Sequence, residues 1–300
     1  MSSARPCPVC KASIQDALLF QKENIDETRI SGFSYASRKE PEFMCHRLLR
    51  CKRCDLVYAS NPPEEHLLAN AYHVSKYDSS EEADDAALAY IKTINPILKN
   101  LKSKNSVLEI GSGTGIFLEL LKNLGFNEII GVEPSSAVIE AAPLHRHTWL
   151  RNEVFKQQNF ISASFDLICC FMTMEHVYNP LVIAQAAYQL LKPNGAFVTV
   201  THDYQSLINR ILGKKSPIID IEHMQLFSKK SIYELFKRSN FSNVYSKPFI
   251  NKYSFSYWLR LTPLPTRIKK YLKNTASLVG IDKIKIGINV GNRITAGFKI

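Results

Sequence analysis

The segment Val107–Gly115, with the sequence Val-Leu-Glu-Ile-Gly-Ser-Gly-Thr-Gly, constrains the fold of this 300-residue chain more than any other. Its apolar start predicts a buried strand, and the apolar run Ile116–Leu124 behind it predicts a helix. Gly111, Gly113 and Gly115 permit positive φ and let a ligand lie against the backbone. The first turn of the helix directs its N–H groups at the same place. The segment therefore predicts a ligand-binding strand–turn–helix unit of an α/β fold.

Glu109 separates two classes of ligand for this turn. A dinucleotide would place its pyrophosphate there, and a carboxylate at the strand end would repel it. A ligand with an ammonium and a sulfonium would be attracted instead, and the spacing is G-x-G-x-G, not G-x-G-x-x-G. The turn therefore favours S-adenosylmethionine, with Glu109, Gly111, Ser112, Gly113 and Gly115 as candidate cofactor-binding residues.

A second predicted strand, Glu128–Glu133, ends in a carboxylate 18 residues after Gly115. Glu133 in this position can accept both ribose hydroxyls of a nucleoside. The alternative is an ordinary acid at a helix N-terminus, where the dipole favours it. The next predicted elements are the strand Ser164–Phe171, the helix Leu181–Leu191 and the strand Ala196–Thr201, and Phe171 completes the candidate cofactor set.

These segments, in this order, resemble a class I S-adenosylmethionine-dependent methyltransferase. His223–Ser228 and the helix Lys229–Ser239 extend the resemblance to about two thirds of the chain. It implies an α/β fold with a Rossmann-like, doubly wound, seven-stranded sheet. The sixth strand is then expected at Asn240–Lys247, and an antiparallel last strand at Arg293–Ile300.

One feature of the family is missing. Many relatives have an acidic residue after the third strand that binds the adenine amino group. The corresponding stretch here, His147–Phe160, contains only Glu153. The adenine contacts are therefore the part of the site that the resemblance specifies least.

Two C-x₂-C pairs, Cys7–Cys10 and Cys51–Cys54, are separated by 40 residues near the amino terminus. Four thiolates in two such pairs suit tetrahedral zinc, and so small a segment needs the free energy of metal binding to fold. The alternatives are a redox dithiol or two unrelated knuckles. Zinc is the favoured interpretation, with Cys7, Cys10, Cys51 and Cys54 as ligands.

Lys11 and Asp55 follow the second cysteine of each pair, where many zinc knuckles have glycine to reach positive φ. Asp tolerates that conformation better than Lys, so a distorted first knuckle is expected. Cys45 and His46 are alternative ligands, although Cys45 is more readily explained as a bystander.

The run Leu49–Tyr58, followed by Asn61-Pro-Pro63, resembles a narrower group of bacterial methyltransferases with an amino-terminal zinc ribbon. Several of these methylate nucleotide-linked or surface-polysaccharide sugars, and their ribbon and following tyrosines lie over the cofactor pocket. The resemblance implies that Tyr72 and Tyr77 contact the substrate; the alternative is packing against the core. Tyr204 is a further candidate substrate contact.

The expected domains are a zinc ribbon at residues 1–63, a helical cap and linker at 64–105 and a methyltransferase core at 106–300 with an insertion at 249–291. Asn-Pro-Pro blocks helix continuation at the first boundary. Pro96 is expected to kink or split the cap helix.

The insertion carries much of the positive charge. The chain has a net charge of +11, and residues 229–300 contain fifteen Lys or Arg against two acidic residues. Aromatic residues 253–261 and the basic amphipathic segment Thr266–Asn274 suit an anionic membrane surface. The alternative is a solvated basic face whose apolar side packs on the sheet.

No apolar run approaches the roughly 20 residues that cross a bilayer, and Met1–Cys7 lacks the apolar region of a secretory signal. A cytoplasmic location is expected. If the insertion docks, the protein lies peripherally at the inner face of the membrane.

Three histidines, His176, His202 and His223, are expected beside the acceptor, because the pocket of such folds lies outside the carboxyl ends of the strands. An oxygen or carbon acceptor needs a base, and histidine titrates near neutrality. His202 is the first candidate, oriented by Asp203, and His176 is the second. For His176 and His223, which lie in patterns common across the fold class, a structural role is the alternative.

The expected function is methylation of a sugar, or of a sugar-bearing nucleotide or lipid, in cell-surface polysaccharide assembly. The alternatives are methylation of nucleic acid or another small molecule, or a non-catalytic cofactor-binding scaffold. Nucleic acid is disfavoured because the basic residues lie in the distant insertion and Phe171–Met174 is not an Asn-Pro-Pro-Tyr motif. An intact cofactor turn disfavours the scaffold. The acceptor atom, O, N or C, stays open.

Overall fold

The computed structural model describes residues 4–36, 40–77 and 80–300. The strands among these residues are, in chain order, β1 (Ala17–Gln21), β2 (Leu48–Cys51), β3 (Val57–Ala59), β4 (Ser106–Ile110), β5 (Glu128–Val132), β6 (Leu150–Arg151), β7 (Phe165–Phe171), β8 (Leu191–His202), β9 (Gln225–Leu226), β10 (Ser242–Pro248), β11 (Asn251–Ser254), β12 (Lys285–Ile288) and β13 (Asn292–Phe298). The α-helices are α1 (Glu65–His73), α2 (Ser80–Asn100), α3 (Ile116–Asn123), α4 (Ser136–Ala141), α5 (Pro180–Leu190), α6 (Leu207–Leu212), α7 (Lys229–Arg238), α8 (Phe255–Leu261) and α9 (Thr266–Leu278).

Seven strands form the central sheet in the order β10-β13-β8-β7-β4-β5-β6. The strands from β8 to β6 are parallel, whereas β13 runs antiparallel between β8 and β10. Every residue of β4 and β7 is buried, as parallel strands covered on both faces require. The predicted α/β fold with a seven-stranded sheet and an antiparallel last strand is confirmed.

Helices cover both faces of this sheet. On one face, α5 and α7 bury Leu190 and Phe236, and on the other, α2 and α3 bury Ile94 and Leu118. Helix α2 runs through Pro96 without interruption, so the expected split does not occur. Burial of Ile94 and Ile97 beside the proline stabilises the helix where one backbone hydrogen bond is lost.

A second sheet joins the amino-terminal segment, residues 4–63, to the core. Its order is β1-β2-β3-β9, and β9 belongs to the loop that precedes α7. Val57 pairs with Leu226, and the Ala59 N–H donates to the Met224 carbonyl at 2.8 Å. The Arg5 guanidinium donates to carbonyls on both sides of this junction, including that of Tyr178 at 2.6 Å. Burial lowers its pKa to about 10.

The insertion forms the β11–β12 hairpin and helices α8 and α9. It packs against α2, where Arg260 lies 3.6 Å from Glu82 and Lys285 pairs with Asp85. Trp258 donates its indole N–H to the Ile286 carbonyl at 2.9 Å, which ties α8 to β12. Nothing among the described helices combines the length and the apolar character that a bilayer span requires.

Candidate functional site

A cavity of about 820 Å³ opens at the carboxyl ends of β4, β5, β7 and β8. The glycine turn and Glu133 form its base, and three histidines form one side. The insertion closes another side with aromatic and aliphatic residues. This is the place where a doubly wound sheet binds its ligands.

The glycine turn needs its glycines for different reasons. Gly111 has φ +74°, and a Cβ there would lie 2.1 Å from Thr173 Oγ1. Gly113 has φ +55° with open space around it, and it lines the cavity. Gly115, with φ +73°, does not line the cavity and packs against Leu150 at the start of α3. Gly115 therefore shapes the turn, and the other two glycines face the ligand space.

Glu109 and Ser112 give this base its polarity. Glu109 is 3% exposed at the end of β4, and it lines the cavity together with Ser112. The Ser112 hydroxyl is buried and has no hydrogen-bond partner within the described residues. The described lining residues include no Lys or Arg that would bind a pyrophosphate. These features fit a cationic cofactor that brings its own hydrogen-bonding groups.

Glu133 links the two loops at the base of the cavity. Its carboxylate accepts the Gly113 N–H at 3.0 Å and the Ser135 N–H at 2.9 Å. Burial raises the pKa of Glu133, and the two N–H groups oppose that rise. Ser135 itself caps α4. Glu133 is therefore held at the cavity, where the ribose hydroxyls are expected.

The residues that follow β6, where the adenine contact was expected, present apolar side chains to the cavity. Glu153 accepts the side-chain amide of Asn159 at 2.8 Å and is not among the lining residues. Val154 and Phe155 line the cavity in its place. An apolar slot for the adenine ring is the arrangement that these side chains allow.

The three predicted histidines lie together. The rings of His176 and His223 are 4.8 Å apart, those of His223 and His202 are 5.9 Å apart, and all three line the cavity. Tyr72 Oη lies 3.1 Å from His176 Nδ1 and donates to the Glu222 carbonyl at 3.1 Å. The sequence order of strands and loops was enough to predict this clustering, whereas the catalytic role of the histidines stays a prediction.

The carboxylate beside His202 is Glu175. Its Oε1 accepts the His202 backbone N–H at 2.6 Å and lies 3.6 Å from His202 Nδ1. Asp203 instead pairs with Arg293 at 3.0 Å. The expected orientation of His202 by Asp203 is wrong, because successive side chains of an extended strand point to opposite faces.

The three predicted substrate tyrosines have different surroundings. Tyr72 and Tyr77 line the cavity, and burial raises the pKa of Tyr72 well above its ordinary value. Tyr204 is not a lining residue: its hydroxyl donates to Asp55 Oδ1 at 2.8 Å, and its ring packs edge-on against Phe20 at 5.6 Å. Tyr204 thus fastens the amino-terminal segment to the core, and it does not face the substrate space.

Comparison with known proteins agrees with this geometry. A family profile described as a methyltransferase domain matches residues 79–246, more than half of the chain. The chain belongs to this methyltransferase family. The family supports S-adenosylmethionine as the cofactor, and the Rossmann-like sheet is the one that the sequence predicted.

Two curated relatives are both named ubiquinone biosynthesis O-methyltransferase. The protein from Shewanella pealeana is 25% identical over 142 residues, 43% of this chain and 60% of its own length. That from Histophilus somni is 32% identical over 123 residues, 37% of this chain and 51% of its own length. This methyltransferase thus spans little more than half the length of these relatives.

Among solved structures, the YcgJ protein from Bacillus subtilis superimposes with a TM-score of 0.50 at 16% identity. The match covers 69% of this chain and 98% of the other. At this level of identity, the likeness concerns the fold.

The four predicted metal ligands of the methyltransferase converge. The Sγ atoms of Cys7, Cys10, Cys51 and Cys54 all lie within 4.8 Å of one another, with Cys7–Cys54 at 3.5 Å and Cys10–Cys51 at 3.4 Å. Tetrahedral zinc with bonds of about 2.3 Å separates its sulfurs by roughly 3.8 Å. The Cys54 thiol lowers the pKa of Cys7 to about 5, whereas burial raises that of Cys10 to about 11. A bound cation is what would stabilise four thiolates here.

The two knuckles are equivalent. Lys11 has φ 58° and Asp55 has φ 65°. The Lys11 N–H donates to the Cys7 carbonyl at 2.9 Å, and the Asp55 N–H donates to the Cys51 carbonyl at 3.0 Å. The expected distortion of the first knuckle is therefore not observed. Cys45 lies outside the cluster, with its thiol directed at the Lys22 carbonyl.

Two parts of the site were missed at the sequence level. Glu175 is completely buried. The sequence did contain an indication of its importance, because it is an acidic residue in a mostly apolar segment directly after a strand. Tyr253, Tyr257 and Trp258 of the insertion line the cavity, although their sequence suggested a membrane surface. Their aromatic clustering was visible in the sequence, but their position at the cavity depends on the tertiary fold.

Proposed function

We propose that this enzyme methylates a hydroxyl of a sugar carried on a lipid, an intermediate of cell-surface polysaccharide assembly. The observation that carries the proposal is the two-sided cavity, in which a polar histidine cluster faces the cofactor turn and an apolar wall continues from it. A sugar joined to a hydrocarbon chain has the same two-sided chemistry.

The polar side suits a sugar. His176, His202 and His223 can each exchange a hydrogen bond with a hydroxyl. Asn179 also lines the cavity, and its buried Oδ1 has no hydrogen-bond partner within the described residues. A sugar hydroxyl that donates to this oxygen would satisfy it.

The apolar side suits a hydrocarbon chain. Aliphatic side chains from α6, α8 and β12 line it beside the insertion aromatics, and these are Ile208, Leu212, Leu259, Leu261, Ile286 and Ile288. Burying a hydrocarbon against such a surface is favourable at about 25 cal/mol per Å². A polar substrate of the same size would gain nothing from this apolar wall, whereas an apolar substituent would be stabilised by it.

Methyl transfer to a hydroxyl needs alignment and removal of a proton. The cofactor supplies the electrophilic methyl group on a sulfonium. Glu109, Ser112, Gly113 and Glu133 would hold it. Glu175 lies on the Nδ1 side of His202, which directs the Nε2 lone pair away from the carboxylate and lets it accept the hydroxyl proton. The names of the curated relatives, both O-methyltransferases, support an oxygen acceptor.

The amino-terminal segment would be a zinc ribbon, at residues 1–63, that completes the substrate site. Tyr35 and Pro41 of this segment line the cavity, and the Tyr35 ring meets Tyr72 edge-on at 5.5 Å. Strand β3 ends at Ala59 and α1 begins at Glu65, which agrees with a cap at 64–105 after the ribbon. Zinc would therefore shape the acceptor side of the cavity, away from the cofactor.

The experiment supplies the purified enzyme with cofactor carrying a labelled methyl group and four separate acceptor pools. These are lipid-linked sugars in detergent, nucleotide sugars, apolar phenols and nucleic acid. Label in the lipid-linked sugar pool is expected, with loss of turnover in His202→Ala and unchanged cofactor affinity by calorimetry. Label confined to any other pool would contradict the acceptor, and full turnover by His202→Ala would contradict the base.

A further inference from the structure

Helix α9 of the insertion presents three different faces. One face holds the helix on the protein: Ala276 is buried, and the Lys269 ammonium donates to Glu40 and to the Arg260 carbonyl, at 2.6 and 2.7 Å. The rest of the helix is exposed, so among the described residues this face alone contacts the protein. The other two faces are open to solvent.

The second face is apolar. Ile268, Tyr271, Leu278 and Val279 are 45%, 70%, 87% and 64% exposed. At 100° per residue these positions, with Thr275 between them, share about a third of the circumference. Contiguous exposed apolar surface of this kind marks an interaction site.

The third face is basic. Arg267 and Lys270 are exposed on the side of the helix away from Ala276, and Lys273, also exposed, lies between Lys270 and the buried face. Between residue 235 and the end of the sequence, Asp282 is the one acidic residue. A cationic face beside an exposed apolar face fits a surface that is anionic outside and apolar beneath.

The geometry points to docking of α9 on an anionic lipid bilayer. Its apolar face enters the boundary between headgroups and acyl chains, and Arg267 and Lys270 lie at the lipid phosphates beside it. The inference rests on the proposed function, because Leu261, Thr262 and Pro263, which line the cavity, lead directly into α9. Docking therefore brings the cavity to the surface that holds a lipid-linked acceptor and gives the enzyme a peripheral location.

Flotation of the full chain with vesicles, without cofactor or acceptor, tests the docking. Vesicles of phosphatidylcholine with about one third phosphatidylglycerol should bind the enzyme, and pure phosphatidylcholine should bind it far less. Arg267→Gln with Lys270→Gln should weaken binding about thirtyfold, since each basic residue near an anionic surface contributes about 1 kcal/mol. Tyr271→Ser with Leu278→Ser should abolish binding.

Matched controls separate this face from general charge and hydrophobicity. Lys229→Gln with Lys230→Gln removes the same charge from exposed positions on α7, and Leu144→Ser with Ile161→Ser removes apolar residues that are 83% and 80% exposed. Both controls should bind vesicles like the native chain. Equal losses in a control, binding that salt does not weaken, or a dimer that dissociates in Tyr271→Ser with Leu278→Ser would each overturn the docking.

Turnover in detergent distinguishes this inference from the proposed function. If lipid-linked sugar in micelles is methylated but no vesicle binds the enzyme, the docking is wrong and the acceptor assignment stands. If vesicles bind the enzyme but the micellar acceptor is not methylated, the acceptor assignment is wrong and the docking stands.

Discussion

The buried carboxylate of Glu175 accepts the backbone N–H of His202 at 2.6 Å and lies 3.6 Å from Nδ1 of the same histidine. A single acid thus fixes the end of β8 and faces the imidazole at the cavity. Because Glu175 itself is fully buried, in the proposed reaction it would act on an acceptor through His202 and not by contact. Glu175 is a positioning residue of the proposed reaction.

Glu175→Gln should lower turnover about a hundredfold, the scale of a lost acid–base contribution. Cofactor affinity should stay native, because Glu175 contacts His202 and does not line the cavity. The measurements are kcat, KM for the acceptor and cofactor affinity by calorimetry. An unchanged kcat, or a cofactor affinity that falls as much as turnover does, would leave Glu175 with a structural role alone.

Gly111→Ala should abolish cofactor binding, because its Cβ would meet Thr173 Oγ1 at 2.1 Å. Gly280→Ala is the matched control: φ is +72° there as well, but no atom lies within 4 Å. The control should lose about 1 kcal/mol of stability from the left-handed backbone alone. Calorimetric titration and thermal unfolding of both variants measure the difference; equal behaviour would show that space at Gly111 does not matter.

Cys51→Ser should remove bound zinc and lower the free energy of unfolding by at least about 3 kcal/mol, since metal binding contributes to folding. Cys45→Ser is the control, because Cys45 is equally buried but lies outside the cluster. Metal content of the purified proteins and denaturant unfolding are the measurements. Zinc retained by Cys51→Ser, or lost from Cys45→Ser, would contradict the four-cysteine site.

Asp166 should make the free energy of unfolding depend on pH in the acidic range. Burial alone would raise the pKa of Asp166, but the Ser106 and Asn105 N–H groups and the Lys192 ammonium hold it below its ordinary value. A carboxyl whose pKa is lower in the folded state stabilises the fold at pH values above its pKa in the unfolded state, which is about 3.9. This stabilisation is lost as the pH falls through the pKa of the folded state.

Asp166→Asn should therefore cost about 2 kcal/mol at pH 7, and its difference from the native chain should shrink below about pH 4. Glu234→Gln, in the exposed i,i+4 pair with Arg238, should cost under about 0.5 kcal/mol. Urea unfolding at several pH values measures both. A constant deficit for Asp166→Asn at all pH values would count against the ionic contribution.

Local pattern predicted the elements that depend on few residues. The strand β4, the glycine turn and α3 follow from apolar runs and three glycines, and α7 starts at its capping serine, Ser228. The histidine cluster was also predictable, because parallel strands place their carboxyl ends together. In each case the decisive interactions lie within one strand–helix unit or follow from the sheet order.

Contacts between distant segments were not predictable in the same way. Tyr204 donates to Asp55, 149 residues away, and nothing next to either residue indicates that pairing. The same applies to the aromatic residues of the insertion, since their position at the cavity depends on packing of the β11–β12 hairpin against α2. Pro96 shows the reverse case, in which tertiary packing outweighs a strong local preference.

The pairing of β3 with β9 has a practical consequence for work on this enzyme. Deleting the first 63 residues to obtain a smaller catalytic fragment would remove Val57 and Ala59, which pair with Leu226 and Met224. The fragment would then carry a bare strand edge immediately after His223, open to pairing with other molecules. Truncation would thus promote aggregation, and studies of catalysis should keep the amino-terminal segment in place.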